Sequence, residues 1–420
     1  MSRSVGRHAT SRSPNSTLLR AGGGTLAGVG LALAILVQSV SAAGPLLRLG
    51  AGFGATVRSG LAGHSAAPPP APVHRAGQLV PVGPGDRAPA DGEASGSPPR
   101  AVGCGFHGLW SIYDDARRAS VLDRLREAGV RSVRIDLSWV MLQPDGPTSY
   151  YPWGVALVDH VIEMANERGI APLMTLWLTP PWANGGAGER ALPDHPADYA
   201  RVAGWAAARW RGKVVGWEVW NEPNSPAFLH GADPAGYVRL LRAAYLAIKA
   251  VAPEAPVVLG GLEYNDTDWL ARAYAAGAGG AFDVLATHPY QGIADLEPSA
   301  VDGTKWTLRH AAAVHRLMAS RGDGAKSIWF TEFGWSTHGD ASDLNWLQGV
   351  SEPRQAAYLA EAATLVGRDM PYVTRIYWST DRDLSTGDIQ YRNYGLFRRD
   401  LSAKPALWTL AEVNAAAGAG

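Results

Sequence analysis

Cysteine is almost absent from this sequence. Its 420 residues include a single cysteine, Cys104, so no disulfide can form within the chain and stability must come from a packed core. With 46% hydrophobic residues, the chain can bury a core of that size. No group of histidines and cysteines has the spacing of metal ligands, so neither a metal nor a cofactor is expected.

Net charge is also lacking. The chain has 38 basic and 38 acidic residues, but residues 1–100 hold nine of the basic residues and only three of the acidic ones. The remainder is therefore mildly acidic, which argues against nucleic acid as a partner. The glycine-rich stretch from Gly103 to Gly108 has no acidic residue in the place that a dinucleotide-binding sheet requires.

Tryptophan, by contrast, is abundant. Sixteen tryptophans are more than a core needs, and flat indole faces are good platforms for sugar rings.

The N-terminus, residues 1–43, has the features of an export segment. Four arginines precede an apolar run from Thr25 to Val37, and small residues follow up to Ala42, where we expect cleavage. A retained anchor is the alternative, since no charge appears between Arg20 and Arg48 and that interval can cross a bilayer of about 30 Å. Either form predicts an exported protein, secreted or tethered to the membrane at the cell envelope.

Residues 44–100 change in composition to Pro, Ala, Gly and Ser. Such a segment buries too little apolar surface to offset its ordering entropy, so we predict a disordered, semi-extended linker.

From residue 101 to residue 420, short apolar runs alternate with amphipathic stretches. Eight such units, with strands apolar on both faces, predict a single (β/α)8 barrel domain rather than an open sheet. The predicted strands are Val102–His107, Ser132–Leu137, Ala171–Trp177, Val214–Trp220, Val257–Gly261, Phe282–His288, Ser327–Glu332 and Val373–Trp378.

Two glutamates set among aromatic residues end two of these strands. Glu222 follows Trp217-Glu218-Val219-Trp220-Asn221, and Glu332 follows Trp329-Phe330-Thr331. Catalytic residues of such barrels sit at the C-terminal ends of the strands, so the two glutamates should face each other across the mouth. Cleavage of a glycosidic bond needs two such carboxyl groups.

The combination of motifs resembles glycoside hydrolase clan A, whose members are retaining (β/α)8 enzymes. Asn221-Glu222-Pro223 and Thr331-Glu332-Phe333-Gly334 carry the resemblance, supported by Val133-Arg134-Ile135, Thr287-His288-Pro289-Tyr290 and Tyr377-Trp378. The string from Trp217 to Asn224 is most similar to family 39, with the cellulase-type family 5 next. One departure is the end of the third strand, where many family 5 enzymes have histidine and this chain has Leu176-Trp177-Leu178.

The resemblance implies that Glu222 is the acid/base and Glu332 the nucleophile that forms a covalent glycosyl-enzyme. A nearby carboxylate would favour the protonated form of Glu222. Asn221 is expected to donate to the sugar 2-hydroxyl. Arg134 is expected to orient Glu332, although it could instead pair with Asp136.

The remaining substrate-binding candidates are aromatic or imidazole side chains. Tyr290 could hydrogen-bond Glu332, and His288 could either bind sugar hydroxyls or be a satisfied structural histidine. Trp378 is expected to form the floor of the subsite for the sugar to be cleaved, and Trp177 and Trp335 are candidates for flanking positions.

The predicted activity is retaining hydrolysis of a polysaccharide or oligosaccharide. Two alternatives stay open: a transglycosylase that remodels envelope polysaccharide, and a catalytically silent barrel that binds glycans. The sequence does not specify the sugar, the linkage, or endo versus exo action.

Overall fold

The computed structural model describes residues 97–291, 296–301, 303–338, 349–386 and 390–418. The predicted export segment lies outside the described residues, and so does the predicted linker except for residues 97–100. Within the part of the chain that is described, no helix is both long enough and apolar enough to cross a membrane.

Eight parallel strands form a closed barrel in sequence order, with β1 paired to β8, which confirms the predicted fold. The strands β1 to β8 are Val102–Gly105, Ser132–Ser138, Ala171–Trp177, Gly216–Val219, Val257–Glu263, Val284–His288, Ile328–Phe333 and Val373–Trp378.

Helices surround the barrel and connect its strands. Those of the described residues, α1 to α9, are Asp115–Glu127, Trp139–Leu142, Pro152–Asn166, Pro196–Arg209, Pro234–Val251, Thr267–Ala275, Ala311–Ser320, Glu352–Asp369 and Pro405–Gly418. Local sequence explains their ends. Asp114 caps α1 by accepting from the backbone N–H of Arg117, and Asp233 caps α5, whose first residue is a proline.

Apolar side chains pack on both sides of the sheet. Inside the barrel lies a small cluster that includes Leu173, Val258, Trp329 and Tyr377, and a larger core fills the space between strands and helices. Towards the C-terminal end of the strands, inward positions become polar: Arg134, Thr175, Glu218 and Thr331 are all buried there. This polar layer supports the mouth of the barrel.

Strand boundaries differ from the prediction at the mouth. The strand β4 ends at Val219, so Glu222 lies three residues beyond the strand rather than at its end, while β5 continues to Glu263. The loop after β4 leaves the sheet early because its backbone turns through left-handed conformations.

Candidate active site

The loop after β4 presents Glu222 in a constrained conformation. Trp220 has φ 73° and Glu222 has φ 43°, a left-handed region that costs non-glycine residues about 1–3 kcal/mol each. Hydrogen bonds to β5 hold the loop there. The Glu222 N–H donates to the Gly261 carbonyl at 3.0 Å, while the Asn224 amide donates to the Glu263 carbonyl at 3.0 Å and accepts from its N–H at 2.7 Å.

Arg134 connects the two halves of the site. From β2 it donates to Glu218 at 2.7 Å, to Glu332 at 2.8 Å and to Asn221 at 2.7 Å. Both sequence alternatives for Arg134 hold, because its guanidinium also lies 3.4 Å from Asp136. Arginine has no acceptor, so the Asn221 oxygen must face it, and the Asn221 NH2 group is left to donate elsewhere.

Glu332 lies in β7 with each carboxylate oxygen held by a different residue. Oε1 accepts from Arg134, and Oε2 accepts from the Tyr290 hydroxyl at 2.7 Å. The predicted contact between Tyr290 and Glu332 is therefore present. Burial and the neighbouring Glu332 charge raise the pKa of Tyr290, so Tyr290 stays a donor and fixes the orientation of the carboxylate.

Of the two sequence alternatives for His288, the structure favours the satisfied structural histidine over a group that binds sugar hydroxyls. This histidine is fully buried, and its Nδ1 and Nε2 lie 2.7 Å from Glu222 Oε1 and 3.0 Å from Thr331 Oγ1. Burial, together with the positive charge of Arg134, lowers the pKa of His288 to about 3. The ring is therefore neutral near pH 7 and carries one proton.

The hydrogen bonds around His288 determine which nitrogen carries that proton. Thr331 donates its only hydroxyl hydrogen to Glu218 at 2.7 Å, so its oxygen must accept from Nε2–H of His288. The Nδ1 atom is then an acceptor, and Glu222 must donate to it. The network thus favours the protonated form of Glu222, as a general acid requires.

Electrostatics lead to the same protonation state. Burial raises the pKa of Glu222 well above its ordinary value, and the charges of Glu263 and then Glu332 raise it further, against the opposing effect of Arg134. The sequence-based explanation invoked one nearby carboxylate, whereas the larger causes are burial and Glu263.

The two glutamates meet at the mouth of the barrel. One oxygen of Glu222, one of Glu332 and a nitrogen of His288 lie within 4.8 Å of one another. Inverting glycosidases need a wider gap, about 6.5–9.5 Å, whereas retaining ones hold their carboxyl groups about 5–5.5 Å apart. Three such atoms could also ligate a metal, but both glutamates and His288 are engaged in the hydrogen bonds described above.

A cleft with an empty volume of about 540 Å³, including its open mouth, lies over this pair. Glu222, Glu332, Asn221 and Arg134 line it together with Trp177. Five sequence-predicted residues are thus brought to one cavity.

Two predicted tryptophans are absent from its described walls. Trp378 is fully buried and donates its indole N–H to the Tyr394 carbonyl at 3.0 Å. Trp335 is 2% exposed, donates to the Leu296 carbonyl at 3.1 Å and packs against Trp378. These indoles have polar partners within the protein and pack against each other, so sugar contact by Trp378 and Trp335 has no support among the described residues and stays a prediction.

Sequence reasoning missed several residues of the site. Glu218 is fully buried, where it accepts from Arg134 and from the hydroxyls of Thr175 and Thr331. Opposite charges at inward positions of β2 and β4 were a signal that could have identified it. His107 also lines the cleft; its partner Asp381 is distant in sequence, and closure of β1 on β8 brings the two together.

Comparison with known proteins places this arrangement in a family. The sequence profile described as cellulase (glycosyl hydrolase family 5) matches residues 93–378. The β-glucosidase A of Thermotoga maritima is 28% identical over 137 residues, which are 31% of this chain and 29% of that protein. The chain therefore spans less than a third of this relative.

Solved structures share the fold. A family 39 glycoside hydrolase from Bacteroides cellulosilyticus has a TM-score of 0.60 at 23% identity, covering 76% of this chain and 64% of that one. A β-xylosidase from Caulobacter crescentus has a TM-score of 0.57 at 20% identity, covering 76% and 68% respectively. Both families named from the sequence appear in these comparisons. Because the profile covers more than half of the sequence, the chain belongs to the cellulase family, glycosyl hydrolase family 5.

Proposed function

We propose that the protein is a retaining glycoside hydrolase acting on a polysaccharide or oligosaccharide. One observation carries the proposal: carboxyl oxygens of Glu222 and Glu332 lie within 4.8 Å of each other in an open cleft, and their surroundings differ. Glu222 donates to a neutral histidine, whereas Glu332 accepts from Arg134 and Tyr290. One group is prepared to give a proton and the other to attack carbon.

In the first step, a carboxylate oxygen of Glu332 bonds to the anomeric carbon. The bond from that carbon to the leaving oxygen breaks, and the proton of Glu222 moves to the leaving oxygen. The product is a glycosyl ester of Glu332. Asn221 can donate to the sugar 2-hydroxyl through the NH2 group that faces away from Arg134.

In the second step, Glu222 accepts a proton from water while the water oxygen attacks the anomeric carbon and releases Glu332. The surroundings of Glu222 assist this reversal. An ionised Glu222 faces the Nδ1 lone pair of His288 and the charge of Glu263, so it is a strong base.

Azide rescue tests the roles of the two glutamates. Glu222→Ala should cleave an aryl glycoside with a good leaving group through its first step, and azide should then yield a glycosyl azide of retained configuration. Glu332→Ala should yield the inverted azide, because azide takes the place of the missing nucleophile. Glu163→Gln, an exposed change on α3, should behave as the wild type. Unchanged hydrolysis by both active-site variants would refute the proposal.

Product chain length distinguishes hydrolysis from sugar transfer. Digestion of a polysaccharide panel that includes the host's envelope glycans, followed by mass spectrometry, should show only products shorter than the substrate. Longer products would identify a transglycosylase that shares the same covalent intermediate.

We further propose that the chain is exported and acts at the cell envelope or outside the cell. The arginines and the apolar run of residues 1–43, followed by the Pro- and Ala-rich residues 44–100, support this placement. N-terminal sequencing of the protein from culture medium and from membranes should find a new terminus after Ala42 or an intact membrane-bound chain. Recovery of the intact chain only from the cytoplasm would contradict export.

A further inference from the structure

Three polar atoms in the walls of the cleft have no hydrogen-bond partner among the described residues. They are the indole nitrogens of Trp110 and Trp177 and the Oδ1 atom of Asp136, which lies 3.4 Å from the Arg134 guanidinium as an ion pair but makes no hydrogen bond. All three residues line the cleft over Glu222 and Glu332. The two tryptophans are 4% and 3% exposed, so bulk water does not readily satisfy their N–H groups. Buried polar groups without partners are uncommon in folded proteins and often have a functional explanation.

The chemistry of these atoms matches a sugar hydroxyl. Each indole N–H can only donate, and an ionised carboxylate can only accept. A hydroxyl group does both, so one sugar can satisfy donors on one side and an acceptor on the other. Arg134 and Asp136 are two residues apart in β2, so both side chains lie on the same face of the sheet, and both line the cleft.

The charges of the walls disfavour a sugar that carries a carboxylate. Among the residues lining the described cleft, Arg134 is the only arginine or lysine, and it is already bonded to Glu218, Glu332 and Asn221. The internal segments outside the described residues contain no lysine or arginine in their sequences. A uronate would therefore meet Asp136 and Glu332 without a free cation.

His107 does not supply the missing positive charge. Its Nδ1 atom lies 3.0 Å from Asp381, a fully buried carboxylate that also accepts from the Tyr113 hydroxyl. Any positive charge on the imidazole is thus paired with Asp381 inside the protein. The ring lines the cleft, and its Nδ1 atom also lies 2.7 Å from the Thr380 hydroxyl.

We propose that Trp110, Asp136 and Trp177 form a recognition site for the hydroxyl groups of an uncharged sugar, and that Asp136 excludes sugars bearing a carboxylate. This inference rests on the proposed hydrolase function and names the substrate class of the same cleft. Asp136 determines specificity, and the two indoles position the ring.

Asp136→Asn tests the exclusion, because it keeps the shape of the side chain and removes the charge. The probes are dinitrophenyl β-glucoside, β-xyloside and β-mannoside together with the matching β-glucuronide. The wild type should prefer at least one neutral glycoside to the glucuronide. The variant should shift the ratio of their kcat/KM values towards the glucuronide by about tenfold or more, as expected when a like charge is removed nearby.

Asp123→Asn is the matched control, since it removes the same charge from the surface of α1, where Asp123 pairs with Arg168. Its ratio should equal that of the wild type. A merely structural role for Asp136 would lower both rates together without moving their ratio, and that result would overturn the exclusion. A wild type that prefers the glucuronide would overturn it as well.

Trp177→Phe tests the indole donor, because it keeps an aromatic ring and removes the N–H. It should lower kcat/KM for the neutral glycosides by about tenfold, whereas Trp408→Phe, on the exposed surface of α9, should have no effect. Equal rates for Trp177→Phe and the wild type would contradict the assignment.

The outcomes distinguish this inference from the proposed function. Cleavage of the glucuronide in preference to every neutral probe refutes the inference alone. If no probe is cleaved, the hydrolase proposal fails, and calorimetry with the same glycosides still decides the inference. Tighter binding of a neutral glycoside than of the glucuronide supports it, and the reverse order refutes it.

Discussion

Arg134 is the residue whose removal should separate stability from activity. It is 5% exposed and donates to three side chains, of which Glu218 is fully buried. Arg134→Met fills much of the same volume but leaves the Glu218 carboxylate without its cation. The hydroxyls of Thr175 and Thr331 remain as donors to Glu218, and they carry no charge.

The size of the effect follows from the burial of the ion pair. Removing one partner of a buried ion pair costs about 3–5 kcal/mol, because the other charge stays in the interior uncompensated. For a domain of this size the loss corresponds to a melting temperature lower by roughly 4–7 °C. The double variant Arg134→Met/Glu218→Gln removes the orphaned charge and should recover about 2 kcal/mol of the loss.

Activity should not recover with stability. Both the single and the double variant leave Glu332 and Asn221 without the guanidinium that orients them, so kcat/KM should stay roughly 100-fold below the wild type in both. Thermal unfolding at a series of urea concentrations measures the stability of each variant, and initial rates on an aryl glycoside measure its kcat/KM separately. Arg168→Met, at the surface pair with Asp123, is the control and should cost at most about 1 kcal/mol.

Two results would refute this account of Arg134. A double variant as unstable as the single one would mean that the Glu218 charge is not the source of the instability. Recovery of activity together with stability would mean that Arg134 acts only through folding and does not orient Glu332.

Three further predictions address other parts of the molecule. Because burial and Glu263 raise the folded-state pKa of Glu222, this carboxyl stabilises the fold below its ordinary pKa and loses that contribution as pH rises. Glu222→Gln, which does not titrate, should therefore gain stability relative to the wild type as the pH rises above the ordinary glutamate pKa. A difference in melting temperature between the two proteins that does not change with pH would contradict the raised pKa. A Cβ at Gly261 would collide with the His288 ring, so Gly261→Ala should lower kcat/KM and reduce the free energy of unfolding in urea by about 1–3 kcal/mol. Gly146 has open space where a Cβ would lie, so Gly146→Ala should leave both quantities unchanged. Lys404 is 1% exposed and donates to Asp383 at 2.7 Å, so Lys404→Met should cost about 3–5 kcal/mol in the same assay, and Lys404→Met/Asp383→Asn should be more stable than the single variant.

The fold was predictable because it depends on a repeated local pattern. Alternating apolar runs and amphipathic stretches fix the order of strands and helices, and closure of a parallel sheet brings all strand ends to one mouth. The meeting of Glu222 and Glu332 followed from that topology alone. The exact end of β4 did not, because the left-handed turn at Trp220 and Glu222 is stabilised by Gly261 and Asn224, whose contacts arise only in the folded barrel.

The destinations of the aromatic side chains were less predictable. An indole at a strand end can face the cleft, as Trp177 does, or pack beneath it, as Trp378 does. Sequence periodicity does not distinguish these outcomes, because both positions are apolar and near the mouth. What separates them is the partner of the indole N–H: a backbone carbonyl for Trp378, and none among the described residues for Trp177.

The distribution of carboxylates around Arg134 links the proposed chemistry to the proposed specificity. Burial, and then the charges of Glu263 and Glu332, raise the pKa of Glu222, and Arg134 only partly offsets them. The guanidinium is bonded to Glu218, Glu332 and Asn221 and lies 3.4 Å from Asp136, so its single positive charge already faces three carboxyl groups before any anionic substrate binds. A lysine or arginine added beside Asp136 to accept a uronate would also lower the pKa of Glu222. Acceptance of acidic sugars and a general acid that stays protonated are thus competing properties in this cleft, and the present residues favour the protonated acid.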